Sequence, residues 1–328
     1  MSTGHKNIAI YGAGWVHNIG NAFIQIGSKY AVQKALPEAN IHIVDGNPFE
    51  LPIPSRLRAL STLGGVPGLG MLRKPEEAHR NKAHSTQVKL TDLSAVDAVI
   101  LSGVWLSTKY LRHHMKDFLS LKRRGIPLIL SGAGGTFYHQ QEFDEVSEIL
   151  REIQPLALIS RDQRVCDAYT GVLEHVYSGI DVGFFVGECF SNPLPIQKKP
   201  TVFCFDRSTI PTELTVTDEI IVTHHAQMGM KYNTFNRGQV FVSEMAEDYL
   251  SLYANCETVY SDRVHACVAA LSFGNKARLI DTTPRAHLFE RLEVGSVRKE
   301  SVQLSMDLLE QRKDEHVAHL KTVFSALG

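Results

Sequence analysis

The chain has no Cys-x-x-Cys pair: Cys166, Cys189, Cys204, Cys256 and Cys267 are odd in number and scattered. Zinc and a disulfide framework both fit that pattern poorly, and a reducing compartment is favoured. No apolar run is long enough to span a bilayer, and MSTGHK leads straight into a strand pattern without signal-peptide character. A cytoplasmic protein is therefore expected. An excess of either charge is also missing, with 34 Lys and Arg against 35 Asp and Glu. That balance speaks against nucleic acid as a partner. What remains, 328 residues with 44% hydrophobic and 21% charged, is ordinary globular composition at a length for two domains.

Residues 7–12 (NIAIYG) read as a buried strand, followed by a glycine turn and a helix with Ile19, Phe23, Ile26 and Tyr30 on one face. Asn18 suits its N-cap. Strand, glycine turn and helix form a recurring anion- or nucleotide-binding unit. A dinucleotide-binding oxidoreductase is one reading, although His17 stands where the third glycine of G-x-G-x-x-G belongs. Asp45, ending the next strand, could hold a ribose and keeps that reading open. Residues 50–90 are rich in Gly and Pro and show no period. A lid carrying Arg56, Arg58 and Arg73 and a solvated loop both fit.

DAVILS (97–102) reads as a strand, Ser107 to Arg124 as one long helix, and IPLILSGAGG (126–135) as strand and turn. An amphipathic helix over 140–154 and the strand LALIS (156–160) follow. This alternation signals a parallel sheet with helices on both faces. Arg161 comes directly after LALIS. An arginine at a strand end, before a helix, can clamp a carboxylate or phosphate with two parallel hydrogen bonds. A surface pair with Asp162 is the plainer alternative, and Asp181 reads as a turn residue. SNPLPIQKKP reads as a linker over 191–200, dividing the chain into domains of 1–190 and 201–328.

In the second half TVFCFD and EIIV read as strands, the latter ending at His224 and His225. Either histidine could act as acid or base near neutral pH. Joint metal binding is disfavoured because neighbours on an extended chain point to opposite sides. TVYS (258–261) is followed at once by Asp262, Arg263 and His265, then by a helix-period segment stopping at Gly274. A further strand ends at Asp281, and Arg285 follows in a turn. An arginine beside a helix N-terminus at a strand end makes an anion site. On a regular helix Arg263 and His265 would lie roughly 200° apart, so they converge only on a ligand over the helix start. An Asp cap with a surface Arg and a packed His is the alternative. The last segment, 301–326, reads as an outer amphipathic helix, with a return to the first domain left open.

The run from Ser243 to Leu292, with Arg263-Val264-His265 at its centre, resembles the C-terminal half of the polysaccharide pyruvyltransferase family. Upstream, Ser160-Arg161-Asp162 and the turn over 131–135 match its order. Asn18, Gly20 and Asn21 match its Asn-x-Gly-Asp, with Asn21 in place of the acid. Ser102-Gly103-Val104 departs from the family's more glycine-rich loop. The resemblance implies an α/β protein of two Rossmann-like domains facing a cleft, the GT-B arrangement. It implies transfer of a pyruvyl group from phosphoenolpyruvate to a sugar as a ketal. His265 is then the expected acid/base, with His224 in support, and Arg263, Arg161, Arg285, Asn18 and His225 the expected substrate-binding residues. No metal and no cofactor beyond the donor substrate is expected. The expected partners are that donor and a glycan acceptor, which if lipid-linked would bring peripheral membrane contact. A GT-B glycosyltransferase using a nucleotide-sugar and a degenerate sugar-binding relative are the alternatives.

Overall fold

A computed structural model describes residues 5–13, 15, 18–46, 89–196, 199–206, 210, 211, 213, 214, 217, 219–226 and 239–327. The expected lid arginines, most of the 226–242 loop and His17 lie outside the described residues.

Two parallel sheets form. The first runs β1 (Asn7–Gly12), β2 (Asn40–Asp45), β3 (Ala98–Leu106), β4 (Leu128–Gly135), β5 (Ala157–Ser160) and β6 (Val176–Ser178), in spatial order β2-β1-β3-β4-β5-β6. Helices α1 (Gly20–Ala35), α2 (Thr108–His113), α3 (Met115–Arg123), α4 (Gln140–Ile153) and α5 (Gln163–Tyr169) connect them. Strands buried on both faces must be apolar throughout. β1 shows this, with Ile8 and Ile10 packing in one cluster with α1 and Ala9 and Tyr11 in another with α3 and α4.

The second sheet contains β7 (Thr201–Cys204), β8 (Ile220–Thr223), β9 (Gln239–Val240), β10 (Thr258–Ser261) and β11 (Lys276–Leu279), in the order β11-β10-β7-β8-β9. Its helices are α6 (Ala246–Ala254) and α7 (Val264–Ser272). Strand order reverses direction beside β1 in the first sheet, between β1 and β3, and beside β7 in the second, between β7 and β10. Such switch points open a crevice at the carboxyl ends of the strands.

Several elements differ from the expectations. The helix over 107–124 is two helices, broken at His114, which is buried against Trp105. β3 runs on to Leu106, and β4 runs through the glycines to Gly135. Gly134 is obligatory there: a Cβ would sit 2.2 Å from Arg161 Nε. Asn18 is not the N-cap of α1. Ile19 holds that position, and the Asn18 Oδ1 instead accepts the Gly20 N–H at 3.1 Å.

Helix α8 (Met306–Ser325) lies in the second segment but packs on α1 and β5 of the first sheet. His316 fastens it there, its Nε2 3.0 Å from Ser131 Oγ and its Nδ1 accepting the Ile180 N–H at 3.3 Å. Lys313 of α8 and Lys34 of α1 share the Glu188 carboxylate, each at 2.9 Å. One apolar cluster runs continuously from Ile8 through Val202 and Val259 to Phe324, so both sheets share a core. Among the described residues no helix is long and apolar enough to cross a membrane.

Candidate active site between the two sheets

A cleft of about 290 Å³ opens at the carboxyl ends of β1 and β3. From the first sheet come Tyr11, Ser102, Trp105, the start of α1 with Asn18 and Asn21, and His114; from the second come His265 and Arg285. Three expected site residues, Asn18, His265 and Arg285, thus line one cleft.

His265 stands in the first turn of α7. Arg263 is the N-cap, with extended backbone angles (φ −110°, ψ 116°), so the helical separation expected between them does not apply. The His265 Nε2 lies 3.4 Å from Asp181 Oδ2. The same oxygen accepts Arg161 Nη1–H at 2.8 Å, and Asp181 Oδ1 accepts the Gly183 N–H at 2.8 Å. Asp181 and Arg161 are fully buried. Burial alone would raise the Asp181 pKa, but His265, Arg161 and the Gly183 amide outweigh it and hold the carboxyl well below its usual range. Burial would likewise lower Arg161, and Asp181, Tyr138 and Asp162 reverse that, so the guanidinium stays charged.

The carboxylate lies within reach of the imidazole and can orient the ring, as second carboxylates do in acid–base sites. With Nε2 turned to Asp181, Nδ1 is the nitrogen left for a ligand, and it has no hydrogen-bond partner among the described residues.

The anion clamp takes a different form from the one expected. Arg161 does not reach the cleft. Its Nε and Nη2 are buried without hydrogen-bond partners among the described residues. Its tie to Asp181 overturns the surface pair with Asp162, whose carboxylate instead caps Val165 and accepts the Tyr138 hydroxyl at 2.7 Å. Arg263 Nε pairs with Asp206. Asp206 also accepts the backbone N–H groups of His225 (3.0 Å) and Ala226 (3.1 Å), binding the ends of β7, β8 and β10 together. Arg285 keeps a wall position, its Nε 3.2 Å from Thr283 Oγ1.

His225 does not face the cleft either. It is fully buried, with Nε2 2.6 Å from the Tyr253 hydroxyl, and its carbonyl accepts the Ile19 N–H at 3.0 Å, joining α1 to the second sheet. Burial, with Arg263 and His265 nearby, pushes its pKa well below the ordinary histidine value, so it stays neutral. His224 is buried too, and burial lowers its pKa; its carbonyl accepts the Tyr249 hydroxyl at 2.8 Å. Asp181 and Asp206, whose carboxylates tie the arginines and His265 in place, were not read as their partners. Asp206 ends TVFCFD as Asp45 ends IHIVD, and that strand-end position was its available signal.

The family model of the polysaccharide pyruvyl transferases matches residues 18–283, well over half of the chain. The chain belongs to that family. The match includes every residue of the His265–Asp181–Arg161 chain and stops two residues short of Arg285. No curated protein matches the chain. Among solved structures, UDP-N-acetylglucosamine 2-epimerase from Rickettsia bellii is similar at 12% identity and a TM-score of 0.51, over 98% of this chain and 95% of that one. An uncharacterized protein from Klebsiella pneumoniae is similar at 13% identity and a TM-score of 0.50, over 92% of this chain and 93% of that one. At these identities the likeness is one of fold, and that fold is GT-B-like. Membership of this family makes the chain a transferase.

Proposed function

We propose that the protein transfers a pyruvyl group from phosphoenolpyruvate to a sugar, forming a ketal. The observation that carries the reading is His265, beside a buried carboxylate, lining the same cleft as Arg285 in a member of this family. Ketal formation needs a proton on the methylene carbon of the donor, which makes the adjacent carbon electrophilic toward sugar hydroxyls. His265 supplies it from Nδ1, with Asp181 beside Nε2 holding the ring in place. Arg285 holds one anionic group of the donor, and the amino end of α1 faces it beside Asn18. Arg263 lends positive charge from behind, and Arg161 serves through Asp181 rather than by touching the donor. The cleft's small volume suits a three-carbon acid and one sugar ring better than a dinucleotide. The reaction belongs in the cytoplasm on this reading, and its acceptor is a glycan precursor.

Thermal-shift titration tests the donor: phosphoenolpyruvate raises the melting temperature, whereas UDP and NADH do not. Phosphate release from phosphoenolpyruvate in the presence of glycan extract tests the chemistry. His265→Gln lowers it by about 10²–10⁴-fold, the usual worth of positioned proton transfer. Near-normal release in that variant rejects the role of His265, and a shift with UDP alone favours nucleotide-sugar chemistry.

A further inference from the structure

Asp206 follows β7, and its side chain is only 3% exposed. Its Oδ1 accepts the His225 N–H at 3.0 Å and its Oδ2 the Ala226 N–H at 3.1 Å, so the main chain after β8 sets the carboxylate's orientation. The same Oδ2 accepts from Arg263 Nε. The backbone N–H of Asp206 is in turn held by both carboxylate oxygens of Asp262, at 3.0 and 3.2 Å. Asp262 and Arg263 are neighbours in the chain. The corner between β10 and α7 is thus fastened to Asp206 twice, once through its main chain and once through its carboxylate. The Arg263 N–H adds a third tie, donating to Ser261 Oγ at 2.8 Å, and that hydroxyl donates to the Cys204 carbonyl at 2.6 Å.

An arginine held by Nε keeps two further nitrogens, Nη1 and Nη2. In Arg263 neither has a partner among the described residues, and the side chain keeps 14% of its surface open. The spare nitrogens of Arg161, by contrast, belong to a side chain with no exposed surface. No side chain caps α7, and the N–H groups of Val264 and His265 also lack partners among the described residues. Free N–H groups and a guanidinium at one helix start favour an anion there. Phosphoenolpyruvate carries two anionic groups, a carboxylate and a phosphate, and Arg285 accounts for one.

We propose that Asp206 is a positioning residue: it holds Arg263 by Nε and so presents the two terminal nitrogens to the donor's second anionic group at the start of α7. The proposal rests on the pyruvyl-transfer reading above. The planar, forked guanidinium gives the tie its effect, because fixing one edge of the plane fixes the other. A lysine in its place has one nitrogen for both partners.

Steady-state phosphate release, with glycan extract as acceptor source, tests the role. Asp206→Asn keeps the size of the side chain and an acceptor for the backbone N–H groups but loses the charge opposite Arg263. It raises KM for phosphoenolpyruvate about 10-fold or more, the usual worth of a hydrogen bond to a charged group, while kcat stays within a few-fold. Arg263→Gln raises KM likewise. The double variant is no worse than Arg263→Gln alone, because Asp206 acts only through Arg263. Arg263→Lys retains the charge and does not recover KM. A residue that only fastened strand ends would lower the melting temperature when changed, leave KM alone and add its effect to that of Arg263→Gln. Unchanged KM in Asp206→Asn, additive effects in the double variant, or wild-type KM in Arg263→Lys overturns the proposal. Should Asp206→Asn fail to fold, Asp206→Glu, which keeps the charge and shifts it by one methylene, carries the same expectation of a raised KM. Failure of the donor reading is separable: wild-type protein then shows no thermal shift with phosphoenolpyruvate and releases no phosphate from it, and the positioning role falls with it.

Discussion

A carboxylate accepting from both a guanidinium and an imidazole in a fully buried setting is costly unless every member stays in place. Asp181 is such a group. Removing one partner of a buried pair strands the other charge, at roughly 3–5 kcal/mol, whereas replacing both with apolar side chains is often near neutral. Asp181→Ala is thus expected to lower unfolding free energy at pH 7 by about that amount in urea titrations. Arg161→Met combined with Asp181→Leu should recover most of it and still lack activity, because His265 has lost its carboxylate. The pH dependence follows from the depressed Asp181 pKa. Its stabilisation is complete above the unfolded carboxyl value near 4 and is lost as acid drives pH down toward the folded one. The wild-type advantage over Asp181→Ala should therefore shrink only below about pH 4. A difference that is already gone at pH 6 contradicts the assignment.

Helix α1 brings the first sheet to the site, and its middle presses on the segment that holds Asp181. A Cβ on Gly27 would lie 1.9 Å from the Val182 carbonyl oxygen. In an open helix Gly→Ala gains about 1 kcal/mol. Here the backbone after Asp181 must yield, so Gly27→Ala should instead lower the melting temperature by a few degrees and reduce phosphate release, through an overpacking cost of about 1–3 kcal/mol. A variant that is more stable and fully active would show that the contact relaxes freely. This element also shows what was legible in the sequence. The apolar runs of β1 and β5 announce strands because burial on both faces demands them. Gly274, at φ +75°, announces the end of α7 because that conformation suits glycine. The break at His114 was hidden, since it comes with contacts to Lys89, 25 residues away. The glycines of β4 read as a turn because the reason for them is the side chain of Arg161, far along the chain. The strand-end rule found Arg161 and His265, yet the carboxylate joining them read as an ordinary turn. Asp181 does cap Gly183, and only the crossing of two sheets reveals its other partners.

At the scale of the whole molecule, the returning helix α8 ties the far end of the chain to the site. His316 binds the Ile180 amide, and Ile180 precedes Asp181. The imidazole is fully buried against Phe185, with rings 5.9 Å apart. Burial, reinforced by His319 and only partly offset by Asp181, lowers its pKa to about 3. The unfolded chain therefore binds a proton at His316 below about pH 6.5 that the folded protein refuses, and stability must fall as pH drops from there. The slope is about 1.4 kcal/mol per pH unit for each such histidine. His224 and His225, also lowered by burial, contribute in the same direction. Their share cancels in a comparison of wild type with His316→Gln. That variant should be less stable at pH 7, where the bonds to Ser131 and Ile180 are weakened. Its deficit should narrow steadily between pH 6.5 and pH 5, because only the wild type loses the His316 contribution on acidification. Urea midpoints at several pH values measure this directly. A deficit that stays constant over the window means that His316 takes up its proton in the folded state, and α8 is then held to the first sheet by contacts other than this imidazole.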